Sequence, residues 1–386
     1  MPDYLHPGIH IEELSNRMRE IEGVPTATAG FVGFAPNGPT DPTTVNSIVE
    51  YEAAFGRVSP AQPLSSGVEE FFRNGGTKAV ILRAGSGDPT RRRARRSNPL
   101  IGTAKAKTGL HALSRVVDPV GLLLVPDAAY LAASEAIEVT NAAAALAEQH
   151  GIFHIADVPK DVAGKGPAAA VQWSAGLARS RNLAIYYPWL AVGAGKAKRL
   201  RPPSAVAAGI FARMDRTRGV WTAPAGQDAT TAGVTGLAVK ATSVDAGALQ
   251  SAGINPIRNI AGAAIVLWGA RTFAAEPEWK YISVRRLVLF LENSIEDGLS
   301  WAVFEPNTAP LWAQVRLEVS SFLHTAWRAG AFQGTKPDEA YFVRCDGTTM
   351  TQSDIDNGRV IAMIGVAPVR PAEFVIIRIS LAADAP

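Results

Sequence analysis

Residues 254–332 have the sequence INPIRNIAGAAIVLWGARTFAAEPEWKYISVRRLVLFLENSIEDGLSWAVFEPNTAPLWAQVRLEVSSFLHTAWRAGAF, and this stretch decides how the later part of the chain folds. Apolar residues recur at helical spacing in two places, which predicts helices over Val284–Asp297 and Leu311–Ala329. Shorter apolar runs before them predict strands at Ile265–Gly269 and Tyr281–Ser283. The stretch therefore predicts a compact unit in which helices and strands are mixed.

Two further strand-like runs follow this stretch. YFVRCD (341–346) and VIAMIGVAPV (360–369) predict a small sheet, which would complete an α+β domain over residues 251–370. The last segment, 371–386, contains the run EFVIIRISL, in which a predicted strand is apolar on both faces. Such a strand needs neighbours to cover it. Its apolar residues include Phe374, Val375, Ile376, Ile377 and Ile379.

Strands and helices alternate upstream, through residues 23–250. The runs ATAGFVGFA (27–35) and KAVILRA (78–84) are typical of buried strands, and similar runs follow later. Between them, helical spacing recurs, for example in the alanine-rich segment from about 132 to 150. Repeated strand–helix units favour a parallel sheet covered by helices. We therefore predict the α/β class for this domain.

An arginine-rich stretch interrupts the alternation. GSGDPTRRRARRSNP (85–99) contains glycine, proline and five arginines, so we predict a surface insertion at about 86–115. Arginines can bind phosphates electrostatically, which raises the hypothesis of a nucleic-acid-binding protein. However, aromatic residues typical of single-strand binders are not interleaved with them, and the formal net charge of the whole chain is only +3. We expect a solvated loop and no nucleic-acid partner.

The first 22 residues are mostly polar. Ile9 and Ile11 alternate with polar residues, which indicates either an extended arm or a frayed terminus. No basic region followed by an apolar stretch is present, so we expect synthesis in the cytoplasm without a secretory signal. No run reaches the roughly 18 uninterrupted apolar residues of a membrane helix, and we expect no direct membrane insertion.

Local signatures of catalysis are missing from the sequence. Gly164-Lys165 and Gly195-Lys196 lack the hydroxyl residue of a phosphate-binding loop, and His150 and His154 are separated by the helix-breaking Gly151. Cys345 lies in a strand-like run, where a buried structural thiol is expected. We therefore predict no catalytic residue, no cofactor and no metal. An α/β enzyme whose site is scattered beyond motif recognition stays open as the alternative.

The chain resembles the tail sheath proteins of contractile phages and of related extracellular contractile injection systems. Four segments in the family's order carry this resemblance. Larger sheaths carry decorated outer domains, whereas here only the arginine-rich stretch lies at such a position, so the chain resembles a compact sheath. The four segments are PGIHIEEL with GVPTATAGFVGFAPNGP (7–14 and 23–39), PLSSGVEEFFRNGGTKAVILRA (63–84), PPSAVAAGIFARMDRTRGVWTAPAG (202–226) and the blocks within 254–332 quoted above.

The resemblance implies an architecture and a set of partners. It implies an N-terminal arm (1–22), an outer α/β domain (23–250), an inner tube-facing domain (251–370) and a C-terminal arm strand (371–386), with the arms completing a sheet between subunits. Subunits would form stacked hexameric rings around an inner tube, assembled in the bacterial cytoplasm with baseplate and terminal cap proteins. We expect Arg285, Arg286, Arg316 and Arg328 to face the tube.

Overall fold

A computed structural model of the chain describes residues 19–87, 98–193, 195, 198–240, 242–260 and 264–373. The strands are β1 Ala29–Phe34, β2 Thr43–Val45, β3 Ala79–Gly85, β4 Leu122–Leu124, β5 Phe153–Asp157, β6 Leu183–Tyr187, β7 Leu190–Val192, β8 Arg199–Arg201, β9 Val234–Leu237, β10 Ile254–Asn259, β11 Ile265–Leu267, β12 Tyr341–Arg344 and β13 Met363–Val366. The α-helices are α1 Ile48–Phe55, α2 Pro63–Arg73, α3 Ala133–Gln149, α4 Lys160–Ala163, α5 Pro167–Ser174, α6 Ser204–Arg218, α7 Ser243–Ser251, α8 Ile282–Gly298, α9 Ala309–Arg328, α10 Pro337–Ala340 and α11 Gln352–Asp356. Short 3-10 helices cover Gly109–Arg115, Pro126–Tyr130, Pro277–Trp279 and Ser300–Ala302.

An eight-stranded mixed sheet is the main layer, with strand order β11-β10-β6-β5-β4-β1-β3-β2. The inner pairs are parallel, and β2 and β11 are antiparallel to their neighbours at the two edges. Alternate side chains of one strand enter different cores: Leu122 and Leu124 pack on one face and Leu123 packs on the other. Because both faces of the sheet are buried, both sets of alternating side chains are apolar. This explains why the strands appear in the sequence as continuous apolar runs. The predicted α/β class is confirmed.

A separate core lies under α8 and α9. Leu287 and Leu291 of α8 pack in it with Val315 and Val319 of α9, while Leu289 of α8 packs against the large sheet. The helix α8 therefore belongs to both cores and joins the small sheet β12–β13 to the large one. Because β10 pairs in parallel with β6, the large sheet extends past residue 250, where the sequence places a domain boundary.

Two predictions about local structure are wrong. Residues 98–115 are not a surface insertion, because Leu100 and Leu110 are completely buried in the core on one face of the large sheet. Residues 88–97, with the arginine run, lie outside the described residues. Tyr281–Ser283 is not a strand: Tyr281 is the N-cap of α8, and Ile282 already belongs to that helix and is buried. The helix therefore starts two residues earlier than predicted.

Candidate assembly interface

The small sheet β12–β13 consists of two antiparallel strands, in which Tyr341 lies opposite Val366 and Arg344 opposite Met363. Tyr341 and Val343 pack onto the core under α9, so the alternating residues Phe342 and Arg344 point outward. Among the described residues, no third strand pairs with β12 or with β13. Each strand therefore has one edge whose backbone groups are open to another strand.

The outward face of this sheet carries two large exposed apolar side chains beside Arg344. Phe342 is 48% exposed and Met363 is 51% exposed. Gly365 lies opposite Phe342, and a Cβ added to Gly365 would be only 2.1 Å from the Phe342 ring. The glycine therefore lets the ring lie flat across the strand, where it presents apolar surface to a partner.

The base of the C-terminal arm is fixed beside this sheet. After β13, the backbone amide of Ala367 donates to the Ala340 carbonyl at 2.8 Å, and that of Val369 donates to the Ala331 carbonyl at 3.1 Å. The segment therefore follows the end of α9 before it reaches Glu373, the last residue described. The predicted arm residues Phe374, Val375, Ile376, Ile377 and Ile379 lie outside the described residues.

Glu373 is clamped by three side chains. Arg271 donates from Nε and Nη2 at 2.7 and 2.9 Å, Lys280 donates from Nζ at 2.7 Å, and the Tyr281 hydroxyl donates at 3.2 Å. Partial burial alone would raise the pKa of Glu373, but the hydrogen bonds from Arg271 and Lys280 outweigh it and lower the pKa to about 2. The clamp therefore holds an ionised carboxylate and fixes where the arm leaves the body.

The base of the N-terminal arm is fixed against α8 and the loop that follows it. Ile21 is buried in the core with α8 and α9, and the Val24 amide donates to Ser294 Oγ at 3.0 Å. The Arg19 guanidinium lies 5.4 Å from the centre of the Trp301 ring, a cation–π contact. The chain is therefore anchored at both ends of its described part, by Ile21 in the core under α8 and α9 and by Glu373 on Arg271 and Lys280. The predicted arm residues Ile9 and Ile11 lie outside the described residues.

Arg285 and Arg286 were expected to face a tube, but both are buried, each 3% exposed. Arg286 forms a bidentate ion pair with Asp215 at 2.8 and 2.6 Å and also donates to the Thr26 carbonyl at 3.0 Å. Arg285 donates from Nε to Asn182 Oδ1 at 2.7 Å. Because these guanidinium groups are used inside the chain, they do not form part of its described surface. The sequence could not reveal this, since both partners are distant along the chain.

The other two predicted arginines lie on α9. Arg316 is half-buried and donates to the backbone carbonyl of Cys345, whereas Arg328 is exposed. Exposed residues recur along this helix at spacings of three and four, which defines one solvent-facing stripe. The stripe consists of Ala313, Leu317, Ser321, Thr325 and Arg328.

Neither a cluster of metal-binding side chains nor a membrane-spanning helix is found in the described part of the chain. No group of three or more histidine, cysteine, aspartate or glutamate side chains there is arranged to hold a metal ion. None of the helices described is both long enough and apolar enough to cross a bilayer. Cys345 is buried, as expected of a structural thiol.

Comparisons with known proteins point to one family. Residues 274–382 match the model of the phage tail sheath C-terminal domain. The contracted sheath of the extracellular contractile injection system PVC is 30% identical, with a TM-score of 0.78 and 98% of each chain covered. The contracted helical sheath of the anti-feeding prophage is 32% identical, with a TM-score of 0.77, covering 97% of this chain and 98% of that one.

A curated relative matches over a shorter region. The tail sheath protein of Enterobacteria phage T4 is 29% identical over 176 residues, which is 45% of this chain. This chain spans about a quarter, 26%, of the length of that relative.

Proposed function

This chain belongs to the tail sheath family of contractile phage tails and extracellular contractile injection systems, and we propose that it polymerises as stacked hexameric rings around an inner tube. As a tail sheath protein it is a structural subunit rather than an enzyme, which sets aside the α/β enzyme considered from the sequence. The polymer would contract to drive the tube through a target envelope.

The observation that carries the proposal is the small sheet, whose two outer edges pair with no further strand among the described residues. Strands from the arms of neighbouring subunits, within residues 1–22 and 371–386, would add to β12 and β13 and complete a sheet shared between subunits. Backbone hydrogen bonds along the strand edges would supply affinity, and the alternating side chains of the added strands would supply specificity.

This connection suits a large rearrangement. The clamp on Glu373 and the burial of Ile21 would keep each arm's base on its own body, while the added strand stays paired with the neighbour. The globular bodies could then rotate and repack without losing the links between subunits. Contraction would release energy because the extended state is metastable.

The proposed tube-facing surface is the exposed stripe of α9. Arg328 lies on it and Arg316 lies beside it, and we retain both as contacts with an acidic tube exterior. Small and polar residues dominate the stripe, which favours weak contacts that release during sliding. Baseplate and terminal cap proteins are the further partners of such a particle, which would assemble in the bacterial cytoplasm as a phage tail or as a particle released from the cell.

Truncation after Glu373 tests the strand-addition proposal. The shortened chain should stay folded by circular dichroism, because the clamp is retained, yet form no striated tubes in negative-stain electron microscopy. Deletion of residues 382–386 alone is the matched control, since it leaves the predicted strand intact and should permit tubes. Normal tubes from the chain truncated after Glu373 would overturn the proposal.

A further inference from the structure

The loop after α8 presents an aromatic side chain to solvent. Phe304 is 102% exposed, and its backbone has a φ of 72°, in the left-handed region that side chains with a Cβ disfavour. Its neighbour Val303 is 62% exposed. An exposed phenylalanine held in a strained conformation gains nothing from the described residues of its own chain, which indicates a binding role.

The residue that follows Phe304 is acidic. This residue, Glu305, is exposed, and Glu296 and Asp297 are exposed in the last turn of α8. No basic residue lies in that turn, so the carboxylates add to the negative end of the helix dipole rather than offset it. We call residues 303–305 the knob, an apolar tip followed by one exposed carboxylate.

A cavity of about 590 Å³ lies at the opposite end of α8, where Tyr281 caps the helix and lines the cavity. Its rim carries Arg218 and the exposed Arg370. We call this cavity the socket. Its apolar lining includes Trp221, Ala223, Ala225, Trp268, Ala270 and Pro371.

The two features are complementary and far apart. The 17 residues of α8 separate them by roughly 25 Å at about 1.5 Å per residue. A phenylalanine of one copy therefore cannot fill the socket of the same copy by a local movement. A knob at one end and a socket at the other generate a head-to-tail contact, which forms rings or helices instead of closed dimers.

We propose that Phe304 of one subunit inserts into the socket of an adjacent subunit, with Glu305 facing Arg370. This contact rests on the proposed polymerisation but is distinct from strand addition, because it joins two globular bodies. The socket also contains Glu373, so an inserted phenylalanine would lie beside the point where the C-terminal arm leaves. The same interface would then contain both the Phe304 contact and the start of the C-terminal arm.

Cysteine cross-linking between two variants tests the contact. The natural Cys345 is buried, so introduced thiols dominate the reaction. Phe304→Cys and Ala223→Cys proteins are mixed, assembled and oxidised with copper phenanthroline. A cross-linked dimer is expected from the mixture and from neither variant alone. Val49→Cys, an exposed position on α1, replaces Phe304→Cys in the control mixture and should give no dimer.

The outcomes separate this contact from the sheath function. Tubes that form without the cross-link overturn the knob and socket and leave the proposed function standing. Absence of both tubes and cross-link at high concentration overturns both. A second variant, Phe304→Ser, should raise the concentration needed for tube formation about tenfold, whereas Val49→Ser should change it less than about twofold. Equal thresholds for these two variants would also overturn the contact.

Discussion

The guanidinium of Arg271 grips both carboxylate oxygens of Glu373, at 2.7 and 2.9 Å, across 102 residues of sequence. Arg271 follows the last strand of the large sheet, and Glu373 ends the described chain. The pair therefore ties the start of the C-terminal arm to the body formed by the large sheet. Under the proposed strand addition, this pair would fix the base of the C-terminal arm on its own subunit.

Replacing Glu373 with glutamine should weaken this fixed point in a pH-dependent way. The folded pKa of Glu373 is lowered from 4.5 to about 2, so the ionised carboxylate stabilises the folded state above pH 4.5. That stabilisation disappears as the pH falls toward 2. At neutral pH we expect Glu373→Gln to lower the free energy of unfolding by about 1 kcal/mol, reduced by solvent screening. Urea titrations over a pH series measure it, and a difference that persists at the lowest pH would contradict the assignment.

Removing the buried Arg286 should damage folding directly. Arg286→Met leaves the nearly buried Asp215 without its ion-pair partner, which should cost about 3 kcal/mol of unfolding free energy. Arg328→Met, on the exposed stripe of α9, should change it by less than about 0.5 kcal/mol. Equilibrium urea unfolding compares the two variants. Similar stabilities for both would mean that the Arg286–Asp215 pair does not support the fold.

Reversing the charge of Arg328 tests the proposed tube surface. Arg328→Glu should weaken co-sedimentation with the purified inner tube about threefold to tenfold, with the larger effect at low salt. Unfolding free energy should be unchanged because the side chain is exposed. Lys105→Glu, an exposed charge reversal on the large domain, is the matched control. Equal binding by both variants would remove Arg328 from the tube surface.

Asp157 gives a pH dependence of the opposite sign. Burial raises its pKa from 3.8 to about 7, although hydrogen bonds from the Ser204 amide and hydroxyl oppose this. The folded state therefore binds the proton more tightly, and stability falls as the pH rises from 3.8 to 7. Asp157→Asn cannot titrate and therefore does not lose stability in this way. Between about pH 4 and about pH 8, the unfolding free energy of the variant minus that of the natural chain should rise by roughly 2 to 4 kcal/mol. If the unfolding free energies of the variant and the natural chain changed equally with pH, the raised pKa of Asp157 would be refuted.

Truncating Leu100 tests the correction to the predicted insertion. Because Leu100 is completely buried, Leu100→Ala should cost about 2 to 4 kcal/mol, whereas a leucine in a solvated loop would cost almost nothing. Val117→Ala is the control, since Val117 is 99% exposed and its truncation should be nearly neutral. Thermal and urea unfolding of both variants measure the contrast.

The sequence was sufficient where short-range periodicity decides the structure. The helices α8 and α9 were predicted from apolar spacing over 254–332, and several strands of the large sheet, among them β1, β3 and β11, from apolar runs. The burial of the segment around Leu100 could not be predicted in this way. A few leucines within a glycine- and arginine-rich stretch do not recur at helical or strand spacing. Resemblance to tail sheath proteins identified the family from four segments in order.

By itself, therefore, the sequence determined the α/β class, most of the helices and strands and the family. Only the tertiary structure decided that β10 continues the large sheet beside β6, that Arg286 is paired with Asp215, and that Glu373 is clamped by Arg271. Local patterns record which side of an element is apolar, because that depends on neighbours three or four residues away. Strand order and ion-pair partners depend on segments dozens of residues apart, which only folding brings together.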